Sequence, residues 1–329
     1  MHLLSRPRRN RKSESVRNLL QEIHVQPSDI VAPFYLLPGA NKKEEIAPMP
    51  GIFKLSMDLI ASEAENLHKK GIQAICLFPV TDPSYKDLYG TEAMNDNGLI
   101  PSAVRFLKKE LPSLAIISDV ALDPYTTHGH DGIIDEDGYV NNDKSLRMLK
   151  AQALSHARAG VDIIAPSDMM DGRVFAIRKA LDKEGFTQVN ILSYTAKYTS
   201  PALYSPFRAA LNSTPSFGDK KSYQLNPSVV KDAYIEASQD EHEGADMLLI
   251  KPGLPYLDVL YRVKQSTSLP VGIFHVSGEY SMVMAAHQKG YLNAHEAFEE
   301  ALIAFKRAGA DFIFTYSFNY FLYEKHTFC

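Results

Sequence analysis

The chain has 329 residues, of which 45% are hydrophobic and 22% charged, and its net charge is −4. That is the composition of an ordinary globular enzyme: the charge is too small to point to a nucleic-acid partner, and the apolar runs are far too short to span a bilayer. Cys76 and Cys329, the two cysteines, exclude a disulfide framework and leave too few thiolates for a cysteine zinc site.

The N-terminus lacks the apolar core of a signal peptide, so a cytoplasmic protein is expected. It opens instead on Arg6-Pro-Arg-Arg-Asn-Arg-Lys12, a basic run without apolar period. Such a run cannot fold alone and reads as an arm, either solvated or docked on acidic surface of another subunit. A short helix over 16–23 would end it. We therefore divide the chain into an arm, 1–28, and a remainder, 29–329.

Beyond the arm, apolar runs at 30–37, 73–79, 115–120, 161–165, 189–194, 246–250, 271–274 and 311–315 give eight candidate strands. Amphipathic stretches at 56–70, 143–159, 171–184, 227–243, 256–264 and 294–307 are long enough to cross between parallel strands. Lys70-Gly-Ile-Gln, Ala159-Gly-Val-Asp, Glu243-Gly-Ala-Asp and Ala308-Gly-Ala-Asp each read as a helix ending at glycine before the next strand. No Gly-x-Gly-x-x-Gly follows a strand, so the fold class is α/β as a closed (β/α)8 TIM barrel with an extended N-terminal arm. Cys76, inside Ala74-Ile-Cys-Leu-Phe78, reads as a small buried hydrophobe.

In such a barrel the chemistry sits where the strands end. Ser118-Asp119, Ser167-Asp168, Lys197, Lys251, Ser277 and Tyr316 stand there. Asp171 and Ser277 could each be an ordinary helix cap. Lys251 in Met247-Leu-Leu-Ile-Lys-Pro-Gly253 follows an apolar run, as does Lys197 in Asn190-Ile-Leu-Ser-Tyr-Thr-Ala-Lys. A lone lysine of this kind more often snorkels into water. Two near one another each depress the other's pKa, and two neutral amines suit a reaction joining two carbonyl compounds through imines. The segment 198–223, rich in Ser, Pro and Gly, carries Arg208, Lys220 and Lys221 and reads as a lid that recognises a carboxylate.

The motifs Ser193-Tyr-Thr-Ala-Lys-Tyr198, Ser205-Pro-Phe-Arg208, Phe217-Gly-Asp219, Tyr223-Gln224, Ala165-Pro-Ser-Asp-Met-Met-Asp-Gly-Arg173, Lys251-Pro and Val276-Ser-Gly-Glu-Tyr280 together resemble the porphobilinogen synthase, or 5-aminolevulinate dehydratase, family. The resemblance runs from the arm to Thr315-Tyr316. It implies a lyase of tetrapyrrole (heme) biosynthesis that condenses two 5-aminolevulinates to porphobilinogen with loss of two waters. Lys251 would form the Schiff base on the propionate side and Lys197 the one on the acetate side. Arg208, Lys220 and Gln224 match the acetate-side carboxylate grip, Ser277 and Tyr316 the propionate-side one. Asp119 and Ser167 match polar residues beside the lysines.

Where zinc-type members of that family carry three cysteines, this chain has Ala121, Asp123 and Asp131. Active-site zinc is therefore not expected, and any ion held by Asp123 and Asp131 would be weak and oxygen-liganded. Glu236 matches an allosteric magnesium ligand at a subunit interface, so Mg2+ and a homo-octamer are expected, with no nucleic acid and no membrane as partners. Lys220 stands where an arginine is usual, and His275 where a glutamine is common. The lid carries one extra residue near 200–204, and the tail 319–329 has no clear counterpart. A class I aldolase on the same fold would have no need of Lys197, and a barrel without catalysis would need neither lysine.

Overall fold

The computed structural model describes residues 4–323. Eight runs with alternate faces both buried form parallel strands: β1 (Ile30–Leu37), β2 (Ala74–Pro79), β3 (Ala115–Val120), β4 (Ile163–Pro166), β5 (Asn190–Lys197), β6 (Met247–Lys251), β7 (Val271–His275) and β8 (Phe312–Thr315). Each pairs with the next, and β8 closes on β1 through Ile30↔Ile313 and Val31↔Phe314. The (β/α)8 barrel expected from the strand count is the observed fold.

One set of strand side chains, including Tyr35, Cys76, Phe78, Leu249, Phe274 and Phe314, fills the barrel. The other set, including Ile75, Leu77, Ile164, Leu248 and Ile313, packs with the helices. Chains buried on both faces read as continuous apolar runs, which is why the strands were visible. Cys76 is fully buried in the inner set.

The helices, in chain order, are α1 (Glu14–Leu19), α2 (Met57–Lys69), α3 (Leu99–Glu110), α4 (Asn142–Arg158), α5 (Arg173–Lys183), α6 (Ser205–Leu211), α7 (Lys231–Glu243), α8 (Leu257–Ser266), α9 (Ser277–Gln288), α10 (Ala294–Arg307) and α11 (Phe318–Tyr323). The sequence pattern missed α3, which has proline in its first turn, and α9, which opens Ser-Gly. Gly71, Gly160, Gly244 and Gly309 all have φ between 94° and 106°, so the repeated helix stops are left-handed caps that favour glycine. A small antiparallel pair, Lys43–Glu45 with Phe53–Ser56, was not anticipated.

The arm makes one helical turn over Pro7–Arg11 and then α1, shorter than expected, with Leu19 81% exposed. Cys329 and the rest of 324–329 lie outside the described residues, so the tail is seen only as far as α11.

One irregularity matters for the site. Between β5 and β6 the register runs Leu248↔Ser193 and then Ile250↔Ala196, so β5 carries one extra residue, a β-bulge. Before the bulge Leu192 and Tyr194 face the barrel; after it Ala196 faces the helices. Side chains alternate along a strand, so the bulge reverses the phase and brings Lys197 to the inner face.

Candidate active site

Lys197 and Lys251 are the last residues of β5 and β6 and are directly paired in register, which puts their backbones about 4.8 Å apart. Both are strand residues rather than residues just past a strand. Neither snorkels: Lys251 is 4% exposed and Lys197 7%. The Lys251 amine lies 4.4–5.3 Å from the ring centres of Phe274, Phe207, Tyr204 and Tyr194. Burial, reinforced by the charge of Lys197, lowers its pKa to about 7. An amine in that range is largely available as a nucleophile at neutral pH.

The Lys197 ammonium donates to the Ser167 carbonyl and lies 3.8 Å from Asp131. Burial alone would raise the Asp131 carboxyl, but Lys197 and Lys220 outweigh it and hold the group well below the usual carboxylate range. Asp119, at the end of β3, is pushed up to about 7 by burial, against the pull of Lys197. A carboxyl near neutrality beside two amines is placed to carry protons. Ser167 donates a hydrogen bond to it.

The segment 198–223 and Gln224 just past it complete the pocket. Lys220 is 3.0 Å from Asp131 and 3.6 Å from Asp123, while Gln224 donates to Asp131 at 3.3 Å. Burial raises Asp123, with Lys220 opposing. Arg208, on α6, lines the same small cavity and stacks 5.7 Å over Tyr204. Lys221 turns outward onto Asp219 and takes no part. His130 pins the segment 198–223 by bonds to Phe217 O at 3.1 Å and the Tyr223 hydroxyl at 3.2 Å.

Ser277 and Tyr316 stand apart from that cavity. Ser277 is the first residue of α9, not its cap: its hydroxyl accepts from Phe207 N at 3.1 Å and donates to Leu203 O at 3.2 Å. Tyr316 shares a 2.8 Å hydrogen bond with Tyr35 and lines a roomier cavity of about 280 Å3 with Tyr280, His295 and Tyr320. That larger space contains no amine, so size misleads here and the chemistry lies in the tighter pocket. Asp171 is exposed, with Gly172 capping α5 in its stead.

The charge set of Asp123 and Asp131 is already met by lysine ammonium groups, and among the described residues no group of three or more His, Cys, Asp or Glu side chains gathers as a metal centre would require. Glu236, on α7, differs. Its carboxylate is 3.7 Å from Arg173 and partly exposed, and burial together with Asp240, Asp171 and Glu243 raises it to about 7 despite Arg173. Glu236 too lies outside any three-residue cluster among the described residues, so it offers a hard divalent cation one carboxylate at a water-accessible edge, with water left to fill the other positions.

Behind β5, buried Arg173 binds the Ser193 hydroxyl at 3.0 Å, the Tyr194 carbonyl at 3.3 Å and Asp240 at 3.4 Å, and Asp240 accepts from Ser193 at 2.7 Å. Sequence reading quoted Arg173 within a motif but gave it no role.

A parallel barrel with two buried amines side by side on its C-terminal rim defines an enzyme built for imine chemistry. The family model described as Delta-aminolevulinic acid dehydratase matches residues 4–322. The chain is 49% identical to the delta-aminolevulinic acid dehydratase of Chlamydia pneumoniae, covering 98% of this chain and 97% of that one. It is 50% identical to that of Bradyrhizobium diazoefficiens, covering 96% and 89%. A solved structure of the Toxoplasma gondii enzyme, porphobilinogen synthase, in complex with the product porphobilinogen, superposes with a TM-score of 0.93 at 46% identity, covering 96% of this chain and 90% of that chain. The chain belongs to the delta-aminolevulinic acid dehydratase family.

Proposed function

We propose that the chain condenses two 5-aminolevulinates to porphobilinogen, with loss of two waters, through imines on Lys251 and Lys197. The observation that carries this reading is the pairing of the two buried amines in register beside Asp119. Each amine adds to a ketone and expels water. Loss of a proton next to the Lys251 imine gives an enamine that attacks the second substrate, and Asp119 is the nearby group able to move that proton. The substrate carboxylate on the acetate side takes Lys220 and Gln224 over from Asp131 and meets Arg208. The one on the propionate side takes Ser277 from the lid backbone and meets Tyr316. An aldolase reading leaves Lys197 unexplained.

We read the enzyme as zinc-independent and cytoplasmic, with Asp123 and Asp131 serving the lysines. Among the described residues no helix is long and apolar enough to cross a membrane. Glu236, with water, would hold Mg2+ at an interface with a neighbour's arm in a homo-octamer, and residues 29–329 would form the catalytic barrel with its lid at 198–223. Bound there, the ion would supply charge neutralisation and subunit contact rather than chemistry.

The test is porphobilinogen formation from 5-aminolevulinate by the purified protein, with magnesium, with EDTA and with a zinc-selective chelator. Turnover should survive zinc removal and rise with magnesium. Glu236→Ala should remain folded and lose the magnesium stimulation, with sedimentation velocity showing less of the large assembly. No porphobilinogen under any condition would sink the functional reading; tight stoichiometric zinc required for turnover would sink the metal assignment alone.

A further inference from the structure

The Lys251 loop is held by a side chain that does not enter the pocket. Glu279, in the first turn of α9, is 1% exposed, and its carboxylate accepts three backbone N–H groups: Gly253 at 3.0 Å, Leu254 at 2.6 Å and Val276 at 2.8 Å. Two of these belong to the turn directly after Lys251, and the third precedes Ser277. One buried carboxylate thus ties the end of β6 to the end of β7. The approach is close: a Cβ on Gly253 would lie 3.0 Å from both Glu279 oxygens and from the Phe305 ring, so a side chain there would push the carboxylate or the ring by a few tenths of an ångström.

We propose that Glu279 is a positioning residue for the Schiff-base reaction at Lys251, fixing the chain immediately after the amine and locking it to Ser277. This rests on the imine reading above. A buried carboxylate is costly unless its acceptors are used, and here two of the three bonds go to the backbone of the Lys251 loop while the third, to Val276, closes the capping box of α9. A neutral amine must reach a ketone carbon within a few tenths of an ångström, and misplacement by about 1 Å can cost on the order of a hundredfold in rate.

Glu279→Gln keeps the shape but presents an amide N–H2 to backbone donors; Glu279→Asp keeps the charge and shortens the reach. The experiment is borohydride trapping of 5-aminolevulinate on the intact assembly, with peptide mapping of label at both lysines, alongside kcat and KM per folded site. Glu279→Gln is expected to lower kcat on the order of ten- to a hundredfold with KM changed little, and to slow labelling of Lys251 while Lys197 labels as in wild type. Glu279→Asp should fall between. Equal loss of label at both lysines in proportion to unfolded protein would mean a merely structural role and overturn the proposal, as would wild-type kcat in either variant. Should Glu279→Gln not fold, the Asp variant's ratio of Lys251 to Lys197 label decides alone. Failure of wild type to label at Lys251 would instead overturn the imine reading itself.

Discussion

Lys251→Ala is expected to abolish imine trapping at that position and to lower turnover on the order of 10^3-fold or more, since no other group on the rim supplies that amine. Lys197→Ala should inactivate comparably, because the second carbonyl then has no covalent partner. The two variants differ in a way that tests the electrostatics. Lys251 is held near pKa 7 by burial and by the neighbouring ammonium of Lys197. In wild type the protonated amine cannot attack, so kcat/KM should fall as pH drops through about 7, an apparent value shared with Asp119. Removing Lys197 takes away a positive neighbour, so the pH at which Lys251 begins to trap substrate should rise. Near wild-type turnover in either variant would end the two-imine mechanism; an unmoved trapping profile in Lys197→Ala would mean burial alone sets the amine.

Asp240→Ala should be the most destabilising single change outside the pocket. It leaves the Arg173 guanidinium, 1% exposed, with only the longer ion pair to Glu236 at 3.7 Å among the described residues, and breaking a buried pair from one side typically costs about 3–5 kcal/mol. A fall in melting temperature of roughly 5 °C follows for a chain of this size. Turnover should fall too, since Arg173 and Asp240 grip Ser193 and Tyr194, the stretch of β5 just before Lys197. Replacing both by apolar residues, Arg173→Met with Asp240→Leu, should recover only part of the melting temperature, because the guanidinium is gone but Glu236 and buried Asp168 lose the same cation. Calorimetry with protomer concentration held fixed checks both, and a single variant melting within 1 °C of wild type would refute the cost.

Much of this was legible in the sequence because each signal had a local physical cause. Strands buried on both faces advertise themselves as apolar runs, and glycines at helix ends as a required left-handed cap. The lysines were found because charge directly after such a run is expensive. What the sequence hid is non-local or out of phase. The ion pairs of Asp131 with Lys197 and Lys220 join residues far apart in the chain. Glu279 stood in the sequence only as a member of the Val276–Tyr280 motif, and only the fold shows the Lys251 turn lying across it. Ser277 could be read as a cap; its hydroxyl instead serves the lid backbone. Arg173 lies within the helical stretch 171–184, and its burial between α5, α7 and β5 was not readable from spacing.

The bulge in β5 makes the chain's arithmetic part of its chemistry. A strand is a two-state indexing device: even and odd positions address opposite sides of the wall, and the extra residue between Ser193 and Ala196 is what switches Lys197 from one address to the other. The barrel could therefore hold the same amino acids and lose half its chemistry through a frame error of one. Deleting Thr195 removes the bulge and leaves Lys197 on the inner face, whereas inserting one alanine between Ala196 and Lys197 is expected to leave Lys251 able to trap a keto acid while Lys197 turns toward the helix layer, so that a two-substrate synthase becomes a one-lysine scaffold. Label appearing at both lysines in that insertion would show that the strand re-indexes itself. Insertions and deletions in the last turn of a barrel strand thus offer a route by which single-imine and double-imine barrels interconvert without any substitution at the reacting residues.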